Sequence, residues 1–325
     1  MRALRVNRLA DGLKGVALEE SSVPAPGPCE ALVRVHAAAL GYPDLLMTRG
    51  AYQVKPELPF TLGMELAGEV IEAGPGCAFA VGDRVRGGAK TGAFADLAVV
   101  SDDGLSLIAP GMDFTAGAAL GSAYLTAHVA LVELGQLQPG QTVLVHGASG
   151  GVGLAACDLA RALGAKVIAA SHREEKLAAL RTAARTDAAI LNTGRFRDPV
   201  SDLTGGRLCD LVFDPIGGEV FDESTRCVAF GGKLLVVGFV SGRIPDIAAN
   251  IPLIKGFSVV GVRAGEFARR FPERAARITA EIDQLASRGA ITPRIDRLLP
   301  LSRWREGFEA MARGELLGKL VFQPG

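Results

Sequence analysis

Apolar residues follow two different rhythms along this chain. From Arg2 to about Pro110 they alternate with polar ones in short runs such as ALVRVHAAAL, AGEVIEAG, DRVRGG and FADLAVV, interrupted repeatedly by Gly and Pro. Half-exposed strands with frequent turns predict a compact, mostly antiparallel barrel. From Gln141 the runs become continuously apolar: TVLVH, AKVIAA, AAILN, CDLVFD, KLLVVG and FSVVGV. Their centres, Val143, Val167, Ile190, Val212, Leu235 and Val259, are spaced by 24, 23, 22, 23 and 24 residues, which suits a strand followed by a crossover helix. Five such steps predict a doubly wound parallel sheet of six strands, covered on both faces.

Beyond Val262, the stretch EFARRFPERAARITAEIDQLASRG places Ala275, Ile278, Ile282 and Leu285 on one helical face. After Pro300 and Leu301, a second helix and a last strand, Lys319 to Phe322, close the sequence. So short a tail is expected to return to the barrel. The predicted division is therefore 1–118 and 263–325 for the barrel domain, with 119–262 as an inserted nucleotide-binding domain.

At 325 residues the chain exceeds what one core usually supports, which agrees with two domains. Its 35 basic and 35 acidic side chains cancel, so charge gives no case for nucleic acid or an anionic membrane surface as partner. Apolar runs such as Leu234 to Val240 fall short of a membrane span, and the N-terminus carries no apolar signal segment. A cytoplasmic protein is expected. Five cysteines, Cys29, Cys77, Cys157, Cys209 and Cys227, form no CxxC pair and read as small buried residues of a reducing compartment. Four scattered histidines, His36, His128, His146 and His172, offer no metal site.

Candidate chemistry concentrates in VLVHGASGGVGLAACDLARALGA, where Gly147, Gly150, Gly151 and Gly153 lie between the first parallel strand and its helix. A pyrophosphate needs backbone N–H groups at close range and a helix N-terminus aimed at it, and side chains would obstruct that approach. Ser149, Gly150, Gly151, Val152 and Gly153 are the expected contacts. The same letters spell G-x-S-x-G, the nucleophile elbow of a hydrolase. That reading fails because only His172 follows Ser149 and no acid is suitably placed before it, so no triad assembles. At the end of the second parallel strand an NAD site would carry Asp or Glu. The chain instead has Ala169-Ala170-Ser171-His172-Arg173, with Lys176 one turn on. Cations and a hydroxyl suit a 2′-phosphate, so Ser171, Arg173 and Lys176 point to NADP(H).

With these residues in hand, the chain resembles the zinc-independent quinone oxidoreductases (zeta-crystallin-like) of the medium-chain dehydrogenase/reductase superfamily. The resemblance is carried by YPDLLMTRGAY, LPFTLGMELAGEVIEAGPG, VGDRV, HGASGGVG, SHREEKLAAL, FDPIGG, GGKLLVVGF and GKLVF. It implies a GroES-like catalytic barrel around an inserted Rossmann domain, NADPH in a cleft, and commonly a homodimer. In the zinc enzymes of the superfamily cysteine and histidine hold a catalytic metal where this chain has the Gly41-Tyr42 region and Met64. A glycine and a thioether do not build such a site. Without a Lewis acid, hydride transfer suits quinones and conjugated carbonyls better than plain ketones. Tyr52, in a Gly-x-Tyr pattern, resembles the family's substrate tyrosine, and Tyr42 and Tyr124 are further candidate catalytic hydroxyls. Thr126, Gly238 and Phe239 match positions near the nicotinamide. Gly41 departs from the asparagine of close relatives and removes a side-chain amide.

The expected activity is NADPH-dependent reduction of a quinone or an α,β-unsaturated carbonyl compound. The alternatives are an enoyl-thioester reductase, with Arg263, Arg269 and Arg270 meeting the phosphates of an acyl carrier, and an NADPH-binding structural or regulatory protein with little turnover.

Overall fold

The alternating N-terminal runs become eight strands: β1 (Arg2–Val6), β2 (Val16–Glu20), β3 (Glu30–Leu40), β4 (Phe60–Thr61), β5 (Glu65–Ala73), β6 (Arg84–Gly87), β7 (Leu97–Ser101) and β8 (Leu105–Leu107). Next come the parallel strands β9 (Thr142–Val145), β10 (Lys166–Ser171), β11 (Ala188–Leu191), β12 (Cys209–Asp214), β13 (Val228–Val236) and β14 (Ser258–Gly261). Two last strands, β15 (Ile295–Pro300) and β16 (Lys319–Gln323), end the chain. These elements come from a computed structural model that describes residues 1–183 and 186–325.

Two compact units result, one of Met1–Gly121 with Pro293–Gly325 and one of Ser122–Thr292. The boundary corrects the expected return at residue 263. Helix Pro272–Ser287 buries Ile278, Ile282 and Leu285, but it does so within the second unit, where Glu281 meets His128 at 2.9 Å and Arg274 pairs with Glu133. Periodicity shows which face of a helix is buried, not against what.

In the first unit, β2-β1-β4 form a small sheet, and β15-β16-β3-β5-β6-β8, with β7 on β3, form a larger one. All pairings are antiparallel except β15 with β16. The tail completes the core: Phe94 meets Phe322 edge-on at 5.3 Å and Phe308 stacks on Phe322 at 6.3 Å. Burying each such ring stabilises by roughly 1.5–3 kcal/mol. Gly307 is required here, because a Cβ would lie 2.7 Å from the Phe322 ring.

In the second unit the six strands run parallel in the order β11-β10-β9-β12-β13-β14. Each contains the residue marked as its centre in the sequence. Val143, Leu144 and Val145 are all buried, as a central strand covered on both faces requires. The order reverses between β9 and β12, so the carboxyl ends of these strands form the switch point where such sheets bind ligands.

The continuous helical segment Phe114–Leu134 is long and apolar enough to cross a membrane by length and composition alone, contrary to the expectation that every apolar run is too short. Its most apolar stretch is 61% buried, the placement of a core helix.

Candidate active site

The nucleotide-binding residues are built outward from β9. After Val145 the chain turns at Gly147, whose φ of +59° is the left-handed region that glycine enters without strain. A Cβ there would lie 3.1 Å from Ile216 and 3.2 Å from Pro215. Gly150 N–H donates to Gly147 O at 2.9 Å, and helix Gly151–Ala162 starts with Gly150 as its extended N-cap. Its first-turn N–H groups, on Gly151, Val152 and Gly153, have no acceptor within the helix. Gly153 admits no side chain, because its Cβ would drive into the carbonyl of Gly147. Around Gly150 only that same carbonyl, at 3.4 Å, approaches a built Cβ. The loop is thus packed from behind and open in front, a cradle that fits a pyrophosphate. Ser149 and Val152 sit half-buried on its rim.

At the end of β10, Ser171 is buried and its Oγ accepts from Arg173 N–H at 3.1 Å. The Arg173 guanidinium approaches Glu175 at 3.4 Å and His172 Nε2 at 3.4 Å, while Lys176 is buried at the start of the next helix. Burial, then Arg173 and Lys176, holds the His172 pKa below its usual value, which marks a locally positive field. Arg173 is shared with a carboxylate, so an incoming anion would compete with Glu175 for it.

Two further loops meet at the carboxyl ends of β12 and β13. Asp214, buried, accepts from Ile216 N–H at 2.8 Å and Gly217 N–H at 3.0 Å. Burial raises its pKa and those two donors oppose the rise. Val240 N–H donates to Pro215 O at 3.1 Å and Ser241 N–H to Ile216 O at 3.0 Å. Gly238 and Phe239 are therefore fixed against the 214–218 turn, where a Cβ on Gly217 would lie 2.9 Å from the Phe239 ring. Sequence reasoning quoted FDPIGG without assigning Asp214 this bracing role. Thr126 is half-buried on helix Phe114–His128.

Tyr124 is a correction. Its hydroxyl is buried and donates to Asp158 Oδ2 at 2.7 Å, and the same oxygen accepts from Thr292 N–H at 2.7 Å. Burial and the Asp158 carboxylate drive the phenol pKa up. A hydroxyl committed in this way braces Asp158 and is not presented as a free donor.

In the barrel unit, Gly41 caps helix Tyr42–Met47, and its N–H donates to Asp44 Oδ2 at 2.8 Å. Asp44 is buried beside a second buried carboxylate, Glu65 of β5, which Lys319 of β16 meets at 2.5 Å. Burial above all, and then Glu65, pushes the Asp44 pKa up to about 7, against the pull of the Gly41 N–H and Lys319. Two carboxyls and one ammonium are thus buried beside Gly41 and Met64. Met64 and Tyr52 both pack, half-buried, on the barrel core, and Tyr42 is half-buried at the helix start. Among the described residues, no group of three His, Cys, Asp or Glu side chains is arranged to hold a metal ion. The donor set at Gly41 and Met64, a glycine and a thioether, does not fit zinc. Sequence reasoning missed Asp44, Glu65 and Lys319, because residues 254 positions apart meet only once the tail strand is in place.

Arg269 and Arg270, considered above for carrier phosphates, both bind Glu266, at 2.6 Å and 2.7 Å.

The family model for the alcohol dehydrogenase GroES-like domain matches residues 27–110, and that for zinc-binding dehydrogenase matches residues 151–281. A quinone oxidoreductase-like protein 2 homolog of Nematostella vectensis is 36% identical over 98% of this chain and 88% of its own length. A quinone oxidoreductase of Pongo abelii is 32% identical over 99% of this chain and 97% of its own. Among solved structures, a mycobacterial protein complexed with NADPH superposes with a TM-score of 0.92 at 28% identity, covering 100% of both chains.

Proposed function

Because the chain belongs to the zinc-independent quinone oxidoreductase family of the medium-chain dehydrogenase/reductase superfamily, we propose that it reduces a quinone or an α,β-unsaturated carbonyl compound with NADPH. The observation that carries this reading is the end of β10, where Ser171, His172, Arg173 and Lys176 surround one spot with cations and a hydroxyl, one strand away from the glycine cradle. The cradle supplies backbone donors for the pyrophosphate, and Arg173, on exchanging Glu175 for the 2′-phosphate, distinguishes NADPH from NADH. Gly238 and Phe239, braced by Asp214, and Thr126 are the candidates for the nicotinamide end.

NADPH when bound supplies the hydride; the remaining task is to stabilise the negative oxygen that forms on the acceptor. Conjugation spreads that charge, so hydroxyl donors suffice where a metal is missing. Tyr52 and Tyr42 of the barrel unit fill this role. Arg269 and Arg270 are each paired with Glu266, so an acyl-carrier phosphate would have to compete with that carboxylate for them.

The same reading includes a homodimer built on β14. This strand is an edge of the parallel sheet, and Val259 on it, with Phe230, Leu253 and Ile254 nearby in sequence or pairing, is exposed. An apolar, unpaired edge invites a second copy. Light scattering of Val259→Lys beside the unmodified chain tests it: a dimer that becomes monomeric supports the edge, and an unchanged mass refutes it.

Activity is tested by NADPH and NADH oxidation with quinones, enones and enoyl thioesters, each with and without a chelator. Turnover that favours NADPH and survives chelation is expected, with quinones or enones as the best acceptors. Preference for NADH, or loss of activity with chelator, overturns the reading.

A further inference from the structure

The cysteine inventory divides in a way the sequence did not suggest. Cys157, Cys209 and Cys227 are buried, whereas Cys29 is exposed and Cys77 half-exposed. These last two occupy adjoining turns. Gly27-Pro28-Cys29-Glu30 closes with Glu30 N–H donating to Gly27 O at 3.2 Å, and Gly74-Pro75-Gly76-Cys77 closes with Cys77 N–H donating to Gly74 O at 3.1 Å. Both carry Pro at the second position and a left-handed third residue, Cys29 at φ +58° and Gly76 at +74°, the pattern of type II turns. In the first, a cysteine stands where glycine is usual.

The two turns lie flat against each other, continuing the register in which Ala31 faces Ala73. Cys29 N–H donates to Pro75 O at 2.9 Å and Gly74 N–H to Glu30 O at 2.8 Å. Contact is so close that a Cβ on Gly74 would collide with Gly27 O, and one on Gly76 would lie 3.7 Å from the Cys29 sulfur. On the other flank of Cys29, Asp102 N–H donates to Cys29 O at 3.0 Å. The Asp102 carboxylate then reaches across: Cys77 Sγ donates to Oδ1 at 3.1 Å and Ala78 N–H to Oδ2 at 2.9 Å. Cys77 is thereby aimed at the residue that flanks Cys29.

We propose that Cys29 and Cys77 are an oxidisable pair, a modification site at which a hydroperoxide converts two thiols into one intrachain disulfide. The exposed Cys29 sulfur attacks the peroxide; the O–O bond breaks, Cys29 becomes a sulfenic acid, and its thiol proton leaves with the departing oxygen as water or an alcohol. Cys77 sulfur next attacks the Cys29 sulfur, the S–O bond breaks, and Asp102 passes the Cys77 proton to the leaving hydroxide, giving water. The pair loses two electrons and two protons, and the peroxide gains them. Partial burial and the bond to Asp102 hold the Cys77 thiol above its usual pKa, which suits a resolving partner that keeps its proton until attack.

The test is brief treatment of the whole native protein with hydrogen peroxide, alkylation of remaining thiols, and mass spectrometry before and after reduction, on the parent chain and on Cys29→Ser and Cys77→Ser. The expected result is loss of two of the five thiols, a mass loss of two hydrogens and a reducible peptide linking residues 29 and 77. Cys29→Ser should leave Cys77 reduced, and Cys77→Ser should accumulate a sulfenic acid on Cys29 that a dimedone probe captures. Unchanged thiols, sulfinic acid on Cys29 of the parent chain without a link, or links only between chains would each overturn the proposal.

Discussion

The two units use opposite materials for their sites. At its glycine cradle the parallel-sheet unit works with backbone: Gly147, Gly150 and Gly153 remove side chains so that peptide N–H groups stand open. Nearby, the His146 ring is tied off, bonded at 2.8 Å to Ser224 and at 3.0 Å to Asn192. Burial holds that imidazole neutral, its pKa lowered to about 3. The barrel unit instead works with buried charge, in Asp44, Glu65 and Lys319. A site made of backbone tolerates no added atoms; a site made of buried charge tolerates no missing partner.

The sharpest way to break this contrast is Lys319→Met, which takes the buried ammonium away from Glu65 and Asp44. The expected loss of stability is about 3–5 kcal/mol, read by urea unfolding; a loss under about 1 kcal/mol would mean the pair carries no such weight. Next is Asp44→Asn. Asp44 has a folded pKa of about 7 against 3.8, so the folded state keeps a proton that the unfolded state releases. The stability it contributes is complete below pH about 4 and fades as pH rises through 7. Removing the titration should flatten the stability profile over that window by up to roughly 4 kcal/mol, seen as a Tm that no longer falls between those pH values. In the sheet unit, Gly153→Ala should raise the NADPH Kd on the order of 100-fold, worth about 2.7 kcal/mol, while the barrel core remains folded by near-UV circular dichroism. Unaltered NADPH affinity would refute the cradle. The smallest effect belongs to Arg173→Ala, where the NADPH over NADH preference should drop about tenfold, near 1.4 kcal/mol, with NADH kinetics unmoved.

The same contrast governs what could be read in advance. Strands β9 to β14 were legible because each is a local apolar run at a steady interval, and the cradle because its glycines are contiguous. The barrel cluster was not, since Asp44, Glu65 and Lys319 lie in YPDLL, GMELAG and GKLVF and share nothing until β16 pairs with β3. Strand β15 escaped notice because IDRLLP alternates too weakly. Phe114–Leu134 hid its length behind Gly, Ser, Thr and His. Tyr124 was misplaced because a tyrosine beside nucleotide-binding residues looks the same in sequence whether its hydroxyl is free or held by Asp158.

That Asp158 oxygen has a wider meaning. It accepts at once from Tyr124, two residues past the start of Ser122–Thr292, and from Thr292, its last residue, so one carboxylate fastens the two ends of the insertion together. A segment whose ends are tied to each other enters and leaves at neighbouring points, so in the currency of genes its insertion asks the host chain to open at one place only.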